Sequence, residues 1–166
     1  MSRATVLEGN SATPALGKIF SELAKAYASA FTGRLTHLPI NRYYYALVVI
    51  EAYEGNLNQT VLADELYIDK ASVVRMLDYL EAEDCIVRRQ NPQDRRAHIL
   101  ELTPKARAII PAIKTALHET DTICQTQAAA LGIPDLEAGL NQICAALQSK
   151  AGSTFKIHFV QSEDND

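Results

Sequence analysis

The hydrophobic period of this chain breaks once, and that break limits what it can fold into. From Leu16 to Leu35 apolar residues recur at three- and four-residue spacing (Leu16, Ile19, Phe20, Leu23, Tyr27, Ala30, Phe31, Leu35), the stripe of an amphipathic helix. After Ile86 and Val87 the helical spacing is lost. Ala97, Ile99 and Glu101 alternate with His98, Leu100 and Leu102, the period of a strand. Asn91-Pro92-Gln93-Asp94 is turn chemistry. Helical spacing returns after Thr103, through Ala106, Ile109, Ile110, Ile113, Leu117, Ile123 and Cys124. Helices on both sides of one short hairpin make a mainly α fold with a small β-hairpin.

Around the hairpin, start and stop signals divide the helical sequence. Residues 1–13 are small and polar without periodicity, and disorder is expected there. The first helix opens near Pro14, and Pro39 stops it. At about 22 residues it is roughly 33 Å long, more than a compact domain needs, so part of its stripe is free for a partner chain. Residues 41–54 (NRYYYALVVIEAYE) are apolar nearly all round and read as a buried helix with Asn41 as N-cap and Gly55 as stop. A strand is the rival for YYYALVVI, and caps and length favour the helix. Asn58 caps QTVLADEL, with Leu57 as a hydrophobic staple. The turn Tyr67-Ile68 leads to Asp69, which caps a helix from Lys70 to about Glu83. Thr103 and Pro104 start another, in which Pro111 should produce a kink or a restart. Gly132 ends it, and Asp135 opens a last helix to about Lys150. The tail, 151–166, ends in SEDND and is expected to be mobile at its tip.

A helix-turn-helix followed at once by a strand, a basic turn and a strand is a winged helix, whose second helix can lie in a major groove while the wing reaches the adjacent minor groove. The charge distribution agrees. Net charge is −4, yet residues 88–107 carry six basic side chains against two acids, which leaves −8 on the remainder. A basic edge on an acidic body suits a module that lays one side on phosphate. On the second helix, Val73, Met76, Leu77 and Leu80 share the face that must pack inward. Lys70, Ala71, Ser72 and Arg75 are the candidate major-groove residues: small side chains let the backbone approach, Ser72 can bond phosphate or base, and Arg75 can reach a guanine edge. The competing reading pairs Arg75 with Asp78 or Asp69 on a solvent face. On the wing, Arg95 and Arg96 suit a narrow minor groove, with Asp94 placed to orient them.

Other chemistries find little support. Cys85, Cys124 and Cys144 form no CxxC pair, and His37, His98, His118 and His158 are scattered, so neither a disulfide framework nor a metal site is expected. No Gly-rich phosphate loop, nucleophile elbow, HExxH or spaced carboxylate pair is present, so no catalytic residue or cofactor is assigned. No membrane span or secretory signal is legible, and a cytoplasmic location is expected. Two alternatives stay open: a winged-helix module that binds protein, favoured by the acidic net charge, and a thiol-based redox sensor, disfavoured by cysteines in apolar runs.

The segment from Leu57 to Arg107 resembles the MarR family of bacterial regulators, the multiple-antibiotic-resistance repressor type. The matching pieces are LADEL at 62–66, IDKASVVRMLDYLE at 68–81, IVRR at 86–89 and above all DRRAHILELTPKAR at 94–107. The flanking helices extend the likeness to 14–150. The resemblance implies a homodimer joined through 14–38 and 104–150, with 41–102 as the DNA-binding lobe on a pseudo-palindromic operator in double-stranded DNA. Arg96 would carry the minor-groove contact, oriented by Asp94, with Ser72 and Arg75 in the major groove. It further implies a repressor released by a small aromatic or lipophilic effector, and Tyr27, Phe31, Tyr43, Tyr44 and Tyr45 fall on the helices that would line such a pocket. Two features depart from the family: Asp84 stands where a Gly is usual, and residues past Gly152 lie outside its pattern.

Overall fold

A computed structural model describes residues 15–53, 55–92 and 98–149. The element order is α1 (Leu16–Gly33), α2 (Tyr44–Ala52), α3 (Gln59–Glu65), α4 (Lys70–Ala82), β1 (Ile86–Gln90), β2 (His98–Leu102), α5 (Pro104–Ala130) and α6 (Leu136–Gln148). The expectations of disorder in 1–13 and of a tail at 151–166 concern segments outside the described residues, and so does most of the wing tip, 93–97.

Four helices start on side-chain caps. Asn58 Oδ1 accepts from the N–H groups of Thr60 and Val61, Asp69 Oδ1 from Ser72, Thr103 Oγ1 from Ala106, and Asp135 Oδ1 from Ala138. Each satisfies a donor that the first turn leaves open, worth about 1 kcal/mol. Asn41 does not act as expected. The residue before α2 is Tyr43, in the left-handed region at φ +62° and without a side-chain cap, while Asn41 bonds Tyr79 across the fold. That tertiary partner outcompetes the local role. Gly55, at φ +83°, lies where the stop was expected.

Pro111 neither ends nor restarts its helix: α5 is a single helix through it. The proline is solvent-exposed, and so is Arg107, whose carbonyl it leaves without an N–H partner.

The strands pair antiparallel from Ile86 opposite Leu102 to Gln90 opposite His98. Leu100 N–H also donates to Leu57 O (2.9 Å), and Asn58 forms a bridge with Ile99. The segment entering α3 is thereby hydrogen-bonded to the hairpin. A single-residue bridge carries no sequence period, so it could not be read from alternation.

The core gathers Leu47 and Ile50 of α2, Leu57, Leu62 of α3, Val73, Leu77 and Leu80 of α4, Ile86, Leu100, and Ile110 and Ile113 of α5, all essentially without solvent contact. Burial of each such side chain is worth about 1.5–3 kcal/mol. The helix α2 packs against α3, β2 and α5, which explains its apolar composition all round. Tyr27 hydroxyl donates to Asp121 Oδ1 (2.6 Å) and Arg34 Nε to Glu119 Oε2 (3.2 Å), fastening α1 to α5. By contrast α6 buries no residue.

Candidate nucleic-acid interface

The helix-turn-helix comprises α3 and α4. Ile68 is buried at the turn beside Tyr67, which takes the left-handed conformation at φ +54°. Val73, Met76, Leu77 and Leu80 face the core, as the spacing requires, and leave Lys70, Ala71 and Arg75 exposed on the first turns of α4.

Ser72 departs from its expected place. It is only 7% exposed. Its hydroxyl donates to Asp69 Oδ2 (2.5 Å) and accepts from Arg75 Nη2 (2.9 Å). Helical spacing put Ser72 at the flank of the outward face, and the cap drew it under. Arg75 therefore pairs directly with neither Asp69 nor Asp78. It is tied to Asp69 through Ser72, and Asp78 is taken by Arg88.

The basic stretch is less free than its sequence suggests. Arg88 hydrogen-bonds Asp78 and lies 3.4 Å from Glu81 through Nε, the latter at ion-pair distance without hydrogen-bond alignment, so that Nε is buried without a hydrogen-bond partner. Arg89 pairs with Glu101 (2.6 Å), and Lys105 bonds the carbonyl of Glu83. Arg88 and Arg89 thus tie the strand to α4 and to β2 instead of presenting free charge. Asp94, Arg95 and Arg96 lie outside the described residues.

Asp84 adopts the left-handed conformation at φ +53°. Asp tolerates this region better than most residues. Its carbonyl accepts from Thr103 Oγ1 (2.7 Å) and Thr103 N–H donates to Cys85 O (3.0 Å), joining the end of α4 to the start of α5.

A cavity of about 550 Å³ opens between α1, the 34–43 segment and the C-terminal half of α4. Its walls include Ser29, Thr32, Thr36, Asn41, Tyr44, Tyr79 and Glu83. Of the five aromatics expected at a pocket only Tyr44 lines it, and its hydroxyl is occupied by Ile40 O (2.8 Å). Phe31 is buried edge-on to Tyr44, with centroids 6.1 Å apart. Tyr27 is held by Asp121, and burial followed by that carboxylate pushes its hydroxyl pKa up. Tyr43 packs on Tyr79, while Tyr45 is 52% exposed. A stripe of aromatics at helical spacing is shared between core and surface, and the sequence cannot apportion it.

The residue missed is Tyr79. Asn41 N–H donates to its hydroxyl (3.2 Å), which donates to Asn41 Oδ1 (2.9 Å), and the Arg42 guanidinium sits 4.3 Å from its ring centroid. Only its flanking position on α4 signalled it.

Cys85 is buried, which pushes its thiol pKa up. Cys124 is half-buried and Cys144 exposed, so the apolar runs around the three cysteines bury only Cys85. Among the described residues no helix is long and apolar enough to cross a membrane.

A family model described as the MarR family matches residues 38–97, from the approach to α2 through β1 to the wing. A protein of Thauera aromatica, described as a putative transcriptional regulatory protein for the hcr operon, is 31% identical over 77 residues. That match spans 46% of this chain and 46% of that protein, about half its length. A structure of the transcriptional repressor CouR bound to a 23-mer DNA duplex superposes with a TM-score of 0.61 at 26% identity, covering 82% of this chain and 91% of that one. CouR from Rhodococcus jostii RHA1 bound to p-coumaroyl-CoA shares the fold at TM-score 0.62 and 22% identity, covering 86% and 95%. The helix-turn-helix and the hairpin agree with these likenesses: residues 38–97 are similar to the MarR family, and the chain shares the winged helix-turn-helix fold of transcriptional regulators of that family.

Proposed function

We propose that the protein is a dimeric, sequence-specific DNA-binding regulator, a cytoplasmic repressor released by a small molecule, and not an enzyme. The observation that carries this is α4, whose apolar side is sealed into the core while Lys70, Ala71 and Arg75 stand exposed on its first turns. That is the end of a recognition helix that meets base edges. Arg75 reads the major groove, and Arg95 and Arg96, oriented by Asp94, reach the minor groove from the wing. Exposed Leu16, Ile19, Phe20 and Leu23 on α1 and Leu140, Ile143 and Leu147 on α6 supply an apolar face for a second copy, so two recognition helices address a pseudo-palindromic operator.

The cavity beside Tyr79 is the better place for an effector than the aromatic stripe, since it adjoins α4 itself. CouR, with structures bound to DNA and to p-coumaroyl-CoA, offers a precedent for both ligands on this fold. The test is duplex binding of the purified protein to selected genomic fragments across a salt series. Affinity should fall steeply with salt, and Arg75→Ala and Arg96→Ala should each weaken it by roughly 5- to 100-fold. Unchanged binding in both variants would sink the reading in favour of a protein-binding winged helix.

A further inference from the structure

Arg75 is exposed but not unattached, and its attachment has a direction. Both carboxylate oxygens of Asp69 bond Ser72: Oδ1 accepts the backbone N–H (3.0 Å) and Oδ2 the hydroxyl (2.5 Å). The hydroxyl oxygen then accepts from Arg75 Nη2 (2.9 Å). A carboxylate can only accept and a guanidinium can only donate, so the hydroxyl between them has one orientation. Ser72 is too buried to offer itself to a ligand. Asp78, the other acid within helical reach of Arg75, is engaged by Arg88 and does not compete.

We propose that Ser72 is a positioning residue for base recognition: it touches no DNA, and it sets the direction in which Arg75 presents its guanidinium. An arginine side chain carries about 2 kcal/mol of rotamer entropy, much of which is lost on docking. Anchoring one nitrogen beforehand reduces that loss and leaves the remaining N–H groups of the fork for a base edge. Hydrogen-bond chains of this kind also strengthen one another. The inference rests on the DNA-binding reading and adds to it a residue whose effect is confined to one position of each half-site.

The test is selection of random duplexes by the full-length protein and by Arg75→Ala, Ser72→Ala and Asp69→Asn. Asparagine at 69 keeps the helix cap but replaces the hydroxyl's acceptor with an amide group that is a donor. The expected result is that Ser72→Ala and Asp69→Asn lose preference at the base pair where Arg75→Ala loses it, by roughly three- to tenfold, with the rest of the motif intact. Adding Ser72→Ala to Arg75→Ala should change nothing further at that position. Preference retained in both Ser72→Ala and Asp69→Asn, or a uniform fall at every position as in a merely destabilised helix, would overturn the proposal. If the unaltered protein selects no motif, the DNA-binding reading itself fails, an outcome separate from the other two.

Discussion

At the scale of single residues, function and strain meet at the boundary between α4 and the wing. Asp84 holds the left-handed conformation (φ +53°) with its side chain exposed, and its contribution is backbone geometry: the carbonyl accepts from Thr103. Glycine adopts this region without the Cβ conflict that costs other residues about 1–2 kcal/mol. Asp84→Gly is therefore expected to leave stability unchanged or raise it by up to about 1 kcal/mol, whereas Asp84→Val should lower it by about 1–2 kcal/mol. Urea unfolding of the three proteins checks this, and equal midpoints would show that the turn is not strained. The caps at Asn58, Asp69, Thr103 and Asp135 were legible because each acts on backbone within three residues of itself. Asn41 failed as a cap because Tyr79, 38 residues away, claims it.

At the scale of elements, the segment before α2 and the helix α4 meet through one side chain. Tyr79 receives two hydrogen bonds' worth of contact from Asn41, the Arg42 guanidinium over its ring and the edge of Tyr43. Replacing it with phenylalanine keeps the ring and removes both bonds. Tyr79→Phe should cost about 1 kcal/mol, since these bonds are partly solvated, and Tyr79→Ala about 2–3 kcal/mol through lost packing. Thermal unfolding reads both, and equal losses would place the whole contribution in the hydroxyl. Because Tyr79 also walls the 550 Å³ cavity, it is the point at which α4 borders the proposed effector site. Arg88 performs a comparable task on the other side, joining β1 to Asp78 and Glu81.

At the scale of the whole molecule, apolar side chains on α1 and α6 remain in solvent although the lobe from α2 to β2 has a buried core. Phe20, 42% exposed in one chain, stands among Leu16, Ile19 and Leu23. A carboxylate placed there would have to be desolvated on association, at a cost of several kcal/mol. Phe20→Glu is expected to sediment as a monomer with an intact circular dichroism spectrum and to lose tight binding to a two-half-site duplex. A variant that stays dimeric would move the subunit interface away from α1.

The sequence by itself determined the order of elements, most helix starts, the buried face of α4 and the position of the wing, since periodicity and capping act over one or two turns. It also placed Ala71 and Arg75 on the exposed face at the start of the second helix, but put the buried Ser72 with them. Only the tertiary structure decided how the charges are spent: Arg88 on Asp78 and Glu81, Arg89 on Glu101, Arg75 through Ser72 on Asp69. It likewise decided that the cavity is walled by Tyr79 and Asn41, with Tyr44 alone from the aromatic stripe. Most of these pairings join side chains from different elements, and even the Ser72 contact depends on how a cap draws a hydroxyl beneath the surface. Local spacing records which face a residue occupies, whereas ion-pair choice depends on distances that exist only once the elements are packed.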